Sequence, residues 1–336
     1  MTPILAVHSD SPPEFIANSA EAKTLGAHGV SVTGKRCASD ADLIELAKDA
    51  HIILNGLVPI TRKAMENLPK TIAVARYGVG YDNVDIAAAT EHGIAVIYVP
   101  DYCAEEVSNS VFAFLIAFAK QLIPMDAAVH KGQWPLRDFI PKIRSIQQER
   151  LGVIGLGRIG MAVAQKGKAF AMDVVAYDAV LKPEQIAAKG MKPVSFDELL
   201  STSDYISLNV PLLPSTRRLI GREQFAKMKK TCFLINTARG PVVDEAALIE
   251  ALKSGRIAGA GLDVFEKEPL PPDSPLVSMP NVLMTPHSGS QSPVANARLR
   301  KQLCEEVLRA LRGEWPLNIA NPDVKPRARL FKRTLP

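Results

Sequence analysis

Apolar residues along this 336-residue chain fall into short unbroken runs, separated by stretches whose apolar positions recur at helical spacing. In the N-terminal third the runs predict strands at 4–8, 30–32, 51–55, 72–76 and 95–99, with helices at 40–50, 61–67 and 85–92 between the later ones. Strands alternating with amphipathic helices mean βαβ units and a parallel sheet. At 103–121, Val107, Val111, Phe112, Leu115 and Ile116 recur every three or four residues, which predicts a long, largely buried helix. From 125 to 150 the periodicity fades, and Pro124, Pro135 and Pro141 punctuate the chain. A second alternating series then starts, with strands at 151–155, 174–177, 205–209, 232–236, 259–264 and 282–284. Helices between them include 158–170 and 244–254, and a final amphipathic helix covers 293–311. No repeat or low-complexity tract interrupts this, so two α/β parallel-sheet domains are the economical reading.

Composition changes the picture little. The chain is 47% hydrophobic and 22% charged, ordinary globular usage. The longest apolar run, 111–119, is far short of the ~20 residues that span a bilayer. The first residues lack a basic region and an adequate apolar core for a signal peptide, so a soluble, cytoplasmic protein that meets no membrane is expected. The net charge is +5, but Lys325, Arg327, Arg329, Lys332 and Arg333 near the end supply as much by themselves. The body is therefore near neutral, and the basic tail is read as a solvated end rather than a nucleic-acid arm. Cys37, Cys103, Cys232 and Cys304 lie far apart without metal-binding spacing, so reduced, mostly buried thiols and no metal site are expected.

Chemistry concentrates in the second series. Gly155-Leu-Gly157-Arg158-Ile159-Gly160 is a G-x-G-x-x-G directly after a strand and opening a helix. The first glycine permits the tight turn, the second lets backbone approach a pyrophosphate, and the third lets the helix pack closely. Helix N–H groups then point at the phosphates. Asp178 lies 18 positions beyond Gly160, near the offset for an acid that binds ribose hydroxyls, and it predicts NAD over NADP. Three polar residues follow three successive strands: Arg239, Glu268 and His287. Ligands of open α/β sheets bind outside the carboxyl ends of strands, so these residues can converge although 48 positions separate the first from the last. Taken singly, Arg239 reads equally as a solvated charge ahead of a helix, His287 as a loop histidine, and Glu268 as an acid in an exposed turn.

The order of GLGRIG, NTARG-PVVDEAAL, LDVFEKEP and TPH-SG resembles the D-isomer-specific 2-hydroxyacid dehydrogenase family. Arg76-Tyr77-Gly78-Val79-Gly80 is similar to that family's carboxylate-binding loop, so the likeness covers nearly the whole chain. The stretches 99–108 and 141–144 resemble the branch that holds the C-terminal-binding proteins and their bacterial dehydrogenase relatives. The resemblance implies a Rossmann NAD-binding domain at 102–289, with a crossing helix at about 103–121. This domain would be inserted in a flavodoxin-like substrate domain formed by 1–101 plus 290–336, with the active site in the cleft. It implies Arg239 on the substrate carboxylate and carbonyl, His287 as acid/base with Glu268 orienting it, and Asp263 on the nicotinamide carboxamide. It places Val210, Pro211, Thr216, Thr237, Ala238 and Gly289 along the cofactor with the glycine loop. Arg76, Tyr77, Gly78, Val79 and Gly80 would bind substrate, with backbone N–H groups of Val79 and Gly80 completing the carboxylate site.

These residue types suit the chemistry. Carbonyl reduction builds negative charge on the oxygen, and a protonated imidazole supplies the matching proton. A neighbouring carboxylate favours the imidazolium. Arginine grips a carboxylate through two hydrogen bonds where lysine offers a point charge. The expected activity is reversible NADH-dependent reduction of a small 2-keto acid, of the glyoxylate, hydroxypyruvate or pyruvate type or bulkier, to its D-2-hydroxy acid. The alternatives are an NADH-sensing corepressor-like scaffold that binds protein partners, and a phosphoglycerate dehydrogenase without its regulatory domain. The corepressors carry a tryptophan shortly after the histidine, absent from His287-Ser-Gly-Ser-Gln-Ser. Glu268 argues against the formate dehydrogenase branch, which has Gln there. The uncharged loop at 55–60 disfavours a phosphorylated substrate, although Arg62 is near. The resemblance also implies a homodimer, and the apolar surface of Phe112, Phe114, Leu115 and Phe118 is read as support. Trp134 or Phe139 is expected to reach a substrate pocket.

Overall fold

The structure, a computed structural model, describes residues 4–332. Among the described residues it contains two compact units, one formed by the chain up to Tyr102 with the chain from Ser292 onward, and the other by Cys103–Gln291. The first holds strands β1 (Ile4–His8), β2 (Val30–Gly34), β3 (Ile52–Asn55), β4 (Ala73–Arg76) and β5 (Ala95–Ile97). They pair in parallel in the order β2-β1-β3-β4-β5, the flavodoxin-like order. The second holds β6 (Arg150–Ile154), β7 (Asp173–Tyr177), β8 (Lys192–Pro193), β9 (Tyr205–Leu208), β10 (Phe233–Asn236), β11 (Gly259–Leu262) and β12 (Val282–Met284). Their order is β12-β11-β10-β9-β6-β7-β8, again all parallel. The chain reverses direction across this sheet between β6 and β9, which is the topological switch point.

Burial explains why the strands are readable in sequence. β3, β5, β9, β10 and β11 are buried at every residue, as expected of parallel strands covered by helices on both faces. On one face of the seven-stranded sheet, Leu200, Phe225, Leu248 and Leu252 pack over Ile206, Leu208, Leu234 and Leu262. On the other, Val111, Phe112, Phe114 and Leu115 pack with Val163 and Ala164 over Leu151, Val153 and Ile235. Half of the described α-helices begin where a short polar side chain accepts a first-turn N–H, as Ser39, Thr61, Asp85, Asp244 and Ser292 do.

Several expectations are corrected. Helices Pro13–Ile16 and Ala20–Gly26 stand between β1 and β2, where none was expected. The 125–150 stretch is not featureless, because helices Leu122–His130 and Leu136–Phe139 occupy part of it. Leu122, Ile123 and Val129 are more than half exposed, so no buried stripe gives a period to read. Pro124 sits in the first turn, where its missing N–H has no intrahelical partner to lose. Phe112, Phe114 and Leu115 of helix Ala104–Ala119 belong to the core, and the Phe118 ring stacks on Phe233 at 4.0 Å. Helices and sheet of its own unit consume that apolar surface, so it is no sign of a partner.

The basic tail is not simply solvated. Arg329 donates to the carbonyls of Leu68 (2.9 Å), Pro69 (3.1 Å) and Thr71 (3.1 Å), and burial lowers its pKa. The Lys325 ammonium lies 5.4 Å from the Trp315 ring centre. Arg333 and the side chain of Lys332 lie outside the described residues. The four cysteines are buried and free, and burial pushes Cys232 and Cys304 up to about 12, leaving them unreactive thiols. Among the described residues no single helix is long and apolar enough to cross a membrane.

Asn321, 3% exposed, fastens the C-terminal segment to β5. Its Oδ1 accepts from Val96 N (2.9 Å), and its Nδ2 donates to Ile94 O (2.9 Å) and Thr90 Oγ1 (3.2 Å). Asn321→Ala leaves buried backbone groups unpaired and is expected to lower stability by about 2 kcal/mol, read as a drop in the urea midpoint with an unchanged slope.

Candidate active site at the carboxyl edge of the seven-stranded sheet

The glycine loop follows β6 at the switch point. Gly155 has φ +86°, and a Cβ there would stand 2.6 Å from the Asn209 carbonyl and 2.9 Å from Val210 Cγ1. Gly160 leaves no room for a side chain because its helix presses on the Gly155 carbonyl. At Gly157 a Cβ would meet nothing within 4 Å, which leaves the space above the N-terminus of helix Arg158–Ala169 open to a ligand. Further along, Gly167 lets the helix touch Leu151 and Val174, a packing role that the motif does not announce. Asp178, just past β7, accepts from Leu156 N (2.8 Å), Val180 N (2.8 Å) and Leu181 N (3.0 Å). Burial alone would raise its pKa, but these three N–H groups outweigh that and hold the carboxyl below its usual range. A carboxylate has about four acceptor sites, so one remains for a ligand hydroxyl. An open glycine cradle, a helix N-terminus and a fixed acid fit a dinucleotide.

The three polar residues stand after β10, β11 and β12. The turn after β10 is built by buried Asn236, whose Oδ1 accepts from Ala238 N (3.1 Å) and whose Nδ2 donates to Arg239 O (2.9 Å). Nη1 of Arg239 donates to the Ala238 carbonyl at 2.8 Å. Gly240 must be glycine because the Phe265–Glu266 backbone occupies the place of a Cβ. After β11, Glu268 Oε1 accepts from Phe265 N (3.0 Å), and Oε2 lies 2.6 Å from His287 Nδ1. Burial pushes the Glu268 pKa up; the His287 contact, the Phe265 N–H and the charges of His287 and Arg239 outweigh it, so the net shift is downward.

His287 is held in an unusual backbone state, with φ +52°. Buried Asp263 secures it: Oδ1 accepts from Thr285 Oγ1 (2.6 Å) and Ser288 N (2.8 Å), Oδ2 accepts from Gly289 N (2.8 Å), and the Asp263 carbonyl accepts from His287 N (2.9 Å). A Cβ at Gly289 would stand 2.7 Å from that carboxylate. Sequence reasoning missed Asn236, Thr285 and Ser288. The visible signal for Thr285 is a hydroxyl two residues before the histidine, but its partner lies 22 positions away, across the β11–β12 pair.

The remaining cofactor candidates line the same edge. Val210 and Pro211 follow β9, and Thr216 Oγ1 pins their loop by donating to Pro211 O (2.6 Å) and accepting from Leu213 N (2.8 Å). Thr237 and Ala238 form the turn before Arg239, while Arg158 and Ile159 open the glycine-loop helix.

In the five-stranded unit, Arg76 ends β4 and its Nη1 donates to the Tyr77 carbonyl, bracing the loop from within. Gly78, at φ +126°, follows under that guanidinium. Tyr77 turns inward: its hydroxyl donates to buried Glu21 (2.9 Å) and its ring stacks on His8 at 5.1 Å. Val79 and Gly80 are half-exposed.

The downward shift of Glu268 has a consequence for stability. A carboxyl with a lowered folded pKa stabilises the fold above its unfolded value, about 4.3, and that contribution disappears as pH falls through the folded value. Glu268→Gln is therefore expected to be less stable than the parent at pH 7, with the difference shrinking as pH falls below the unfolded value of about 4.3, checked by urea unfolding across that range. For Asp178→Ala, removing the anion from the cradle is expected to raise kcat/KM with NADPH relative to NADH by about tenfold or more, measured with one fixed oxidant.

Residues 112–289 match the model of the D-isomer specific 2-hydroxyacid dehydrogenase NAD binding domain. The chain is 41% identical over 286 residues to a glyoxylate reductase of Korarchaeum cryptofilum, covering 84% of this chain and 86% of that protein. It is 40% identical over 293 residues to a D-3-phosphoglycerate dehydrogenase of Methanocaldococcus jannaschii, covering 87% of this chain and 55% of that one. Among solved structures, a D-lactate dehydrogenase of Aquifex aeolicus complexed with NAD and lactic acid superposes with a TM-score of 0.82 at 31% identity, covering 94% of this chain and 98% of that one. With its Rossmann sheet, its glycine cradle and a matching NAD-binding domain, the chain belongs to the D-isomer-specific 2-hydroxyacid dehydrogenase family.

Proposed function

We propose that the protein reduces a small 2-keto acid of the glyoxylate, hydroxypyruvate or pyruvate type, reversibly, to the D-2-hydroxy acid. The observation that carries this reading is the 2.6 Å contact of His287 Nδ1 with Glu268, within reach of the Arg239 charge, at the sheet edge that bears the glycine cradle. Bound NADH supplies the hydride. With Nδ1 committed to Glu268, Nε2 is the imidazole atom that gives its proton to the substrate oxygen. The Glu268 carboxylate fixes the orientation of the ring through its contact with Nδ1 and takes no proton itself. Arg239 binds the substrate carboxylate and steadies the oxygen where charge develops. On the five-stranded unit, the backbone N–H groups of Val79 and Gly80 are donors suited to a substrate carboxylate, with Arg76, Tyr77 and Gly78 shaping their loop and Tyr77 acting through its main chain. The five-stranded unit is in this reading the substrate domain. Asp178 takes the ribose hydroxyls and Asp263, with its one free acceptor site, the carboxamide.

A phosphorylated substrate is disfavoured, because the loop at 55–60 carries no charge and the nearby Arg62 is paired with Glu91. The homodimer reading rests on the segment 122–140, where Leu122, Ile123, Val129, Trp134, Leu136 and Ile140 are all more than half exposed. So much apolar surface in one stretch marks an interaction face, and a second copy is the occupant the family reading supplies. In that setting Trp134 or Phe139 reaches the substrate.

Arg239→Ala is expected to lower kcat/KM for the keto acid by about a hundredfold or more, and His287→Gln to lower kcat by about 10²–10⁴. Steady-state NADH oxidation across a panel of 2-keto acids checks both, and a fall under tenfold in either removes the assignment. Leu122→Glu with Ile123→Glu is expected to give a monomer by light scattering; an unchanged oligomer would place the interface elsewhere.

A further inference from the structure

The segment Gly56-Leu57-Val58, after β3, has no regular secondary structure, yet side chains fix its backbone almost completely. Asp10, just past β1, accepts from Gly56 N at 2.6 Å on Oδ2, and from Leu57 N (2.6 Å) and Val58 N (3.1 Å) on Oδ1. Ser9 Oγ adds a bond to Oδ2 at 2.7 Å. From the other side, Asn83 Nδ2 donates to Gly56 O (3.1 Å), Val58 O (3.0 Å) and Asn55 Oδ1 (3.0 Å). Fully buried Asn55 donates to Val58 O (2.8 Å) and Ser9 Oγ (3.1 Å). A Cβ on Gly56 would come within 3.0 Å of Asp10 Cγ, so the carboxylate's approach depends on glycine there. Asn83 follows the Arg76–Gly80 loop and its carbonyl accepts from Ile60 N (2.8 Å), so the clamp joins the carboxyl ends of β1, β3 and β4.

What this clamp holds out is Leu57, 74% exposed. Burial within the unit does not account for the arrangement, since the leucine gains almost none. Three N–H groups on one carboxylate form a strong, directional restraint. With Val58, Leu57 also walls a groove of about 690 Å³ whose other sides include Arg36, Ser39 and Thr61. We infer that Asp10 is a positioning residue that presets Leu57 as a rigid wall against the side chain of the keto acid and so sets the size of substrate accepted. This rests on the reading that the five-stranded unit binds the substrate.

The test uses the full-length parent, Leu57→Ala, Asp10→Ala and the double variant, with the ratio of kcat/KM for 2-oxo-4-methylpentanoate to that for glyoxylate as readout. Leu57→Ala is expected to move the ratio toward the larger acid by about tenfold. Asp10→Ala is expected to move it the same way by about fivefold, with KM for NADH unchanged. The double variant should match Leu57→Ala within about twofold, because a residue acting through Leu57 has nothing left to position. Asp10→Asn, which keeps an acceptor oxygen, should restore part of the parental ratio, and it replaces Asp10→Ala if that variant does not fold. Effects that multiply, or an Asp10 change that scales both substrates equally, would overturn the inference while leaving the substrate domain in place. A parent that turns over keto acids but is indifferent to Leu57→Ala would instead show that this loop does not face substrate, and would overturn it at that step. A parent inert toward every keto acid would remove the proposed function itself.

Discussion

The buried carboxylate of Asp263 is the interaction on which the candidate site depends. It sits at the end of β11 and gathers a hydroxyl and two backbone N–H groups from the turn after β12. That turn carries His287 in a left-handed backbone state, which costs of order 1 kcal/mol and persists only where surrounding contacts over-determine it. The anchor adds three side-chain bonds to the main-chain bonds of the turn that sets the imidazole 2.6 Å from Glu268. The carboxylate is 2% exposed, so each of its bonds acts in a low dielectric, where a charge-assisted hydrogen bond is worth most and an unmet one costs most.

The same device recurs at other strand ends. Asp178 after β7 and Asp10 after β1 each accept three backbone N–H groups from loops at the carboxyl edge of their sheets. The chemistry of that edge is common to parallel sheets. Loops there turn into helices whose N-termini carry partial positive charge, and irregular loops leave N–H groups without ladder partners. A short carboxylate satisfies several of them at once and freezes the loop. Asp263 and Asp178 each keep one acceptor site, which lets an acid that builds the loop also meet a ligand.

Glycines contribute the complementary constraint, close approach. At Gly160 and Gly240 the neighbouring backbone occupies the space of a side chain, and at Gly155 a positive φ adds to it. Gly157 differs: it faces open space, so its lack of a side chain serves something outside the chain. The two kinds of glycine share one motif and are told apart only by what surrounds them.

Much of this was legible in the linear sequence. Parallel strands packed against helices appear as short apolar runs, so β1 and β12 were placed to the residue and the other expected strands to within two. The glycine loop, Asp178, Arg239, Glu268 and His287 stood out because their residue types sit just past strands. Helix Leu122–His130 was invisible, since its apolar residues face outward and no packed stripe gives them a period. The apolar excess of helix Ala104–Ala119 was visible but not its cause, because sequence does not say how many sides of a helix are covered. The sequence by itself therefore determined two parallel sheets and the kinds of groups at their edges. Only the tertiary structure decided which groups meet: that Asp263 seizes Thr285, that Asp10 reaches Leu57, and that Arg62 is taken by Glu91. Hydrogen bonds and ion pairs act over a few ångströms, and partners tens of positions apart come that close only through strand order and register, which no local spacing encodes.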